Sequence, residues 1–404
     1  MSAHMDGGVL MFDYLYSARL YRDSISEEPA KLEDLKYFVR QDKELDVQII
    51  EKFPINFFGD TSESLKIKGT KALVDKFNEI YAEKIDIIEK LDNIEYIGLS
   101  DKDEVILNFK KDNLSAKGVY DFTYDFFEEH FRMGKYATFC IKEGYNDIVR
   151  ENVNELIGLR KEDEKQYRLI MKNDELFLRG LTSNKYNNYD NNLALYLSLL
   201  SLHKFAKHYD LTYSLSEAYL SDSSLKVILE QETPVNIPNL GKVFFGVIIS
   251  NSEVRDSTFS FEIRYRIIDL ENNLGFSAIP DLKDSVFSLN HITGIDKLES
   301  KLGNMFKLRE LQETMMSFII ELSNINRLSE DAIYYLYNQI IYSRNFKAET
   351  KKNIKDLYDK NLISNTITLI EALNKVDSLV TDIDEKMCLE RIYHDIIKKI
   401  TSRN

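Results

Sequence analysis

Tryptophan is absent from these 404 residues, and cysteine, proline and glycine number only 2, 5 and 15. Each shortage excludes something. Cys140 and Cys388 lie far apart and outside any Cys-x-x-Cys pair. That argues against a disulfide framework and a structural zinc site, and for a reducing cytoplasm. So few prolines and glycines leave little room for long flexible linkers. Without tryptophan, 24 Tyr and 23 Phe must supply the rings of the core and of any contact face. No apolar run approaches about 18 residues, the length of a membrane-spanning helix. No GxxxxGK[ST], GxGxxG, HExxH, GxSxG or kinase signature occurs, and the Gly-Ser plus Asp-x-Asp set of nucleotidyl transferases is missing. The sequence therefore assigns no catalytic residue, no metal ligand and no cofactor.

What is present is an uneven charge. The formal net charge is −14. From His291 onward 17 basic residues face 17 acidic ones, so the remaining 36 and 50, all within residues 1–290, carry the whole excess. An acidic body repels nucleic acid at long range and suits a basic protein partner, although a local basic groove is still allowed. The opening Met1–Gly8 reads as an expression-tag remnant without the pattern of a secretory leader, so residues 1–10 are set aside and Met11 is the expected native start.

Hydrophobic periodicity divides the rest. Residues 11–290 read as an α+β domain built on a largely antiparallel sheet with packed helices, open to division into two subdomains near 145–165. A helix is expected around Ala30–Arg40, a strand-like stretch at Val47–Phe53, a helix from Gly69 to Leu91, and a strand at Val105–Phe109. The Tyr120, Tyr124 and Phe127 spacing predicts a helix over Val119–Phe131. A β run, Lys135–Ile141, follows and would hold Cys140. Gln166–Met171 and Glu175–Leu181 read as strands paired through an Asn173-Asp174 turn. Asn191–Tyr209 reads as a strongly apolar helix. Strands are expected at Leu225–Gln231, Val243–Ile249 and Phe259–Ile267. In the last, Phe259, Phe261, Ile263, Tyr265 and Ile267 alternate with Ser260, Glu262, Arg264 and Arg266. From 291 to 404 the period is helical throughout, which predicts an all-α C-terminal bundle of four or five helices. Its stripe runs Leu298 to Leu322, Ser329 starts a helix, and further helices fall at Ala348–Asp359, Asn365–Leu379 and Asp384–Ile400. Such a bundle is also a surface for homo-oligomerisation.

Several clusters bring together side chains capable of chemistry. His203 and His208 are five apart on a helix and diverge too far to share a metal. Glu128, Glu129 and His130 are adjacent, hence on different faces and expected in solvent. Asp121, Asp125 and Glu128 share a helix face and would be the carboxylates of a metal-dependent enzyme on nucleotides or nucleic acid, against the plainer reading of a solvated face. For nucleic acid, Arg179, Lys185, Tyr186 and Tyr189 interleave phosphate-binding charge with stacking rings, and Arg264 and Arg266 add a basic stripe on one strand face. The plainer alternative places these tyrosines in a helix–sheet seam.

The run LRGLTSNKYNNYDNNLALYLSLL, with FGVIISNSEVRDSTFSFEIRYRI after it, resembles the large prokaryotic phage/plasmid-like family of unknown function. The matching positions are Ser183, Tyr186, Asp190 and Asn191, then Asn251, Ser252 and Glu253. Arg255 stands where a glycine is expected, and the later Cys-x-Asn-Gly phrase is absent, with Asn272, Asn273 and Gly275 a faint echo. The resemblance covers about residues 167–268 and implies a mobile-element origin and a DNA-linked context in the cytoplasm of a bacterial host cell, with no established reaction. The resulting expectation is a non-catalytic accessory protein that binds nucleic acid, preferably single-stranded, through Arg179, Lys185, Tyr186, Tyr189, Arg264 and Arg266. The alternatives are a protein-interaction module, such as an inhibitor of a host defence complex, and the metal-dependent enzyme.

Overall fold

The computed structural model describes residues 14–254, 258–270, 273–281, 286–324, 330–361 and 369–401. Residues 1–10, Met11, Arg255, Asn272, Ser329 and Asn365 lie outside them. The first third contains β1 (Ser17–Tyr21), a 3-10 helix at Leu32–Phe38, α1 (Glu44–Lys52), β2 (Ile67–Lys68) and α2 (Thr70–Glu79). Four strands follow, β3 (Lys84–Lys90), β4 (Ile94–Leu99), β5 (Val105–Phe109) and β6 (Leu114–Gly118). Three helices come next, α3 (Phe122–Phe131), α4 (Gly134–Lys142) and α5 (Asn146–Leu159), then β7 (Glu164–Lys172) and β8 (Glu175–Thr182). A long helix, α6 (Asn191–His208), leads into β9 (Tyr213–Ser221), β10 (Ser224–Gln231), β11 (Val235–Ile237), β12 (Gly241–Ser252), β13 (Phe259–Ile268), β14 (Gly275–Ala278) and β15 (Phe287–Leu289). The C-terminal helices are α7 (Ile295–Gly303), α8 (Lys307–Leu322), α9 (Glu330–Ile341), α10 (Ala348–Asn361), α11 (Leu369–Asp377) and α12 (Ile383–Thr401).

The fold is α+β with two mainly antiparallel sheets and a helical C-terminal region, as the periodicity predicts. Three local readings change. Val47–Phe53 belongs to helix α1 and its exit, because Glu44 and Asp46 favour a helix N-terminus and only Ile49 and Phe53 reach the core. Lys135–Ile141 is helix α4, with Gly134, Ala137 and Cys140 three residues apart on its buried face. The helix expected to run to Leu91 stops at Glu79, and Lys84–Lys90 is a strand.

Strands β3–β8 form a six-stranded sheet in the order β3-β7-β8-β6-β5-β4. Its hairpin turn holds Asn173 and Asp174 at φ of 53° and 61°, the left-handed pair that a tight two-residue turn requires. Helices α3–α5 cover one face through Phe122, Phe126, Phe127, Val149 and Val153. This second core is inserted between α2 and α6. The remaining strands make a nine-stranded sheet whose main path is β1-β9-β10-β12-β13-β14. Helix α6 is buried from Asn191 to Ala206 except at Lys204, which explains why most of its sides are apolar.

On β13 the alternation holds. Phe259, Phe261, Ile263, Tyr265 and Ile267 enter the large core, while Ser260, Glu262 and Arg264 are buried on the opposite face. Helix α12 runs beside β14 and covers that polar face with Glu390 and Arg391. Gly246 sits in register between Glu230 and Arg264 on the middle strand. Its missing side chain lets the Arg264 Nη1 reach Glu230 Oε1 at 2.6 Å, whereas a Cβ would come within 2.6 Å of the Leu229 carbonyl oxygen.

The C-terminal helices have no separate interior. Leu298, Leu308, Ile319, Leu336, Leu373, Leu389 and Ile397 belong to the same core as α6 and the nine-stranded sheet. Removing them exposes the back of that core. A chain ending at residue 290 is therefore expected to lose near-ultraviolet circular dichroism and its cooperative melt; a folded fragment with an unchanged Tm would contradict the shared core.

Candidate functional site

The two phrases that carry the family resemblance meet in space. Asp190 precedes α6, and Glu253 lies just beyond β12. Glu253 Oε1 accepts a 2.9 Å hydrogen bond from the Asn191 backbone N–H, and the Asn251 side chain donates to the Tyr189 carbonyl and to Asn191 Oδ1. Both carboxylates thus sit at the N-terminus of α6, where unpaired amides and the helix dipole favour negative charge.

Cations from the six-stranded sheet close on them. Arg168 on β7 donates through Nη2 to both Asp190 oxygens at 2.8 and 2.9 Å, through Nε to Asp86 at 2.9 Å, and through Nη1 to the Glu253 carbonyl at 2.6 Å. Arg179 on β8 pairs with Glu253 Oε2 at 2.7 Å, and Lys84 on β3 pairs with Oε1 at 2.8 Å. Arg40 reaches Asp190 at 3.3 Å and binds Asp46, which also accepts from Asn192. Arg40, Lys84, Arg168 and Arg179 therefore face Asp46, Asp86, Asp190 and Glu253, a neutral set spanning both sheets. Arg168, Arg179, Asp190 and Glu253 are at most 1% exposed.

Burial works against ionisation of Asp190, but Arg168, Arg40 and Lys84 outweigh it and hold the carboxyl well below the usual range. Glu253 is likewise held down: burial and Asp190 oppose it, and Lys84 and Arg179 prevail. Above the network the Tyr186 ring stacks on His291 at 4.5 Å and 6°. His291 Nδ1 lies 3.2 Å from the Asn187 carbonyl, which makes Nδ1 the protonated nitrogen and leaves Nε2 as an acceptor. Arg179 Nε and Nη2, Asp222 Oδ1 and His291 Nε2 have no partner among the described residues.

Arg179, Tyr189 and Arg264 are therefore interior residues. Tyr189 donates to the Thr293 carbonyl, and Arg264 is held by Glu230 and Glu390. Arg266 shares Glu230 at 2.8 Å and lies over the Phe244 ring at 4.6 Å. Contact with phosphate needs an accessible guanidinium, and counter-charges from α12 and β10 occupy that place. Tyr186 is half-buried, and Lys185 alone of the six is exposed. Of the acidic trio, Glu128 accepts from the Gly134 N–H and lies 3.8 Å from Arg132. Among the described residues no three His, Cys, Asp or Glu side chains converge as a metal site. His130, expected in solvent, is buried between Asp163 and the Tyr167 hydroxyl. His203 is buried too and accepts from the Lys66 N–H.

The sequence reading missed Arg40, Asp46, Lys84, Asp86 and Arg168 because their spacing spans more than a hundred residues. The one local signal was the pair of phrases around Asp190 and Glu253. Each carboxylate of the network is matched by a fixed cation, while Arg179 Nε and Nη2 and His291 Nε2 keep unused hydrogen-bonding capacity among the described residues.

Glu253→Gln leaves Lys84 and Arg179 buried without compensation and is expected to cost about 3–5 kcal/mol in urea unfolding. Lys185→Ala, on the surface, is expected to stay within about 0.5 kcal/mol. Equal effects would contradict the network.

Acid is expected to destabilise the fold in two stages. Burial lowers His130 to about 4, and it also lowers His203 and His291. Their stabilisation is complete above the ordinary histidine value, roughly 6.5, and is lost as pH falls from there toward the folded value. Asp86, Asp190 and Glu253 are depressed, so their contribution is complete above the ordinary carboxylate range, about pH 4, and is lost below it. A Tm that stays constant from pH 7 to pH 5 would contradict the histidine stage.

No known family model matches this chain, and neither a curated protein nor a solved structure matches it.

Proposed function

We propose that this protein is a non-catalytic accessory protein of the phage or plasmid type that binds nucleic acid, preferably single-stranded, by short-range surface contacts. The observation that carries this reading is a division of charge. The interior cations are neutralised, while surface cations without ion-pair partners among the described residues stand beside exposed rings in two places. One is α4. The other is the turn before α10, where Tyr342 is 80% exposed and Arg344 follows two residues later. A ring offers a stacking face to any base, and an unpaired lysine a contact for phosphate.

The acidic body weakens long-range attraction, so affinity must come from stacking and a few phosphate contacts. Two to four such contacts give a salt slope between about −1.4 and −2.8 for a single strand. A labelled oligo-dT titrated with protein at rising salt should show micromolar binding with that shallow slope. No binding to single or double strands at low salt would sink the reading.

The alternative is a protein-interaction role such as inhibition of a host defence complex. The acidic excess in residues 1–290 supports it, since an acidic surface steers a basic partner. A stoichiometric, nuclease-insensitive host partner, found together with no oligonucleotide binding, would put that role in its place.

A further inference from the structure

Resting on the nucleic-acid reading, the geometry points to one platform: we infer that α4 and the turn after it form the surface on which single-stranded nucleic acid stacks. Gly134, Ala137 and Cys140 fasten α4 to the body, and the opposite face is exposed. Lys135, Phe139 and Lys142 lie along that exposed face, with Tyr136 at its margin, as a spacing of three, four and seven residues requires. Tyr136 is 43% exposed and Phe139 56%.

The rings are held in place. Asn152 donates to the Tyr136 hydroxyl at 3.2 Å. Gly144 ends the helix at φ +78°, and the Tyr145 N–H then bonds the Cys140 carbonyl at 2.8 Å. That turn brings the Tyr145 ring 6.3 Å from Phe139, tilted by 64°. Gly134 lets α4 lie close to α3, since a Cβ there would come within 2.8 Å of the Tyr124 ring.

Charge favours a polyanion. From His130 to Lys142 the chain carries Arg132, Lys135 and Lys142 and no acidic residue, within a region that holds the whole acidic excess. Lys135 and Lys142 have no ion-pair partner among the described residues. They stand seven residues apart, roughly 10 Å, on the same face. A strand crossing there meets two ammonium groups and three aromatic faces. Glu143 and Asp147 follow at one end, so the contact depends on stacking more than on charge.

The test uses the full chain and labelled oligo-dT. Tyr136→Ala with Phe139→Ala should weaken binding at least roughly tenfold with the salt slope unchanged. Lys135→Ala with Lys142→Ala should make the slope shallower by about 1.4. Tyr136→Phe, which keeps the ring, should bind like wild type. All are surface changes, and an unchanged melt confirms an intact fold. Wild-type binding that survives both α4 pairs overturns the platform and leaves nucleic-acid binding standing. Absence of wild-type binding overturns both. Displacement of oligo-dT by a polyglutamate of equal charge, insensitive to the ring substitutions, also overturns it and assigns α4 to an acidic protein.

Discussion

Asp190 must stay ionised inside the protein, and much of the architecture answers that requirement. Its carboxylate lies at the buried N-terminus of α6, out of reach of water. An isolated charge there would cost several kcal/mol. Arg168 supplies two hydrogen bonds from the neighbouring sheet, and Arg40 adds a second cation from the segment before α1. Arg168 is itself buried, so it needs Asp86 and the Glu253 carbonyl. Glu253 then needs Lys84 and Arg179. Each group is tolerable only because the next is present, and the chain of need runs from one sheet to the other.

A network of this kind adds little net stability over well-packed apolar residues, yet removing one member is severe. Its effect is to fix how the six-stranded sheet sits against α6 and the nine-stranded sheet. The same logic recurs on the far face of β13, where Glu230, Arg264 and Glu390 join the sheet to α12. Both networks consume the arginines that the sequence offers most visibly. On the outside, exposed lysines and rings lie along short helices such as α4.

The elements with long, consistent periods were legible in the sequence. Helix α6, the β7–β8 hairpin, the alternation of β13 and the C-terminal helices all follow from pattern. Short apolar runs were not, because Val47–Phe53 and Lys135–Ile141 satisfy helix and strand periods about equally well. The site was half legible. Alternation shows that Arg264 and Glu262 share a face, but whether that face meets water depends on Glu390, 126 residues further on. Likewise Asp190 and Glu253 stand out locally, while Arg40 lies 150 residues from Asp190. Reading Lys135–Ile141 as a strand also hid α4, since only helical spacing gathers Lys135, Phe139 and Lys142 on one face.

The Arg168–Asp190 contact is the joint between the sheets. A double-mutant cycle in urea unfolding, with Arg168→Gln, Asp190→Asn and both together, measures it directly. The double variant is expected to be more stable than the sum of the single losses allows by about 2–3 kcal/mol, because each single change strands a buried charge. Losses that add to within about 0.5 kcal/mol would show two independent sites and contradict the joint.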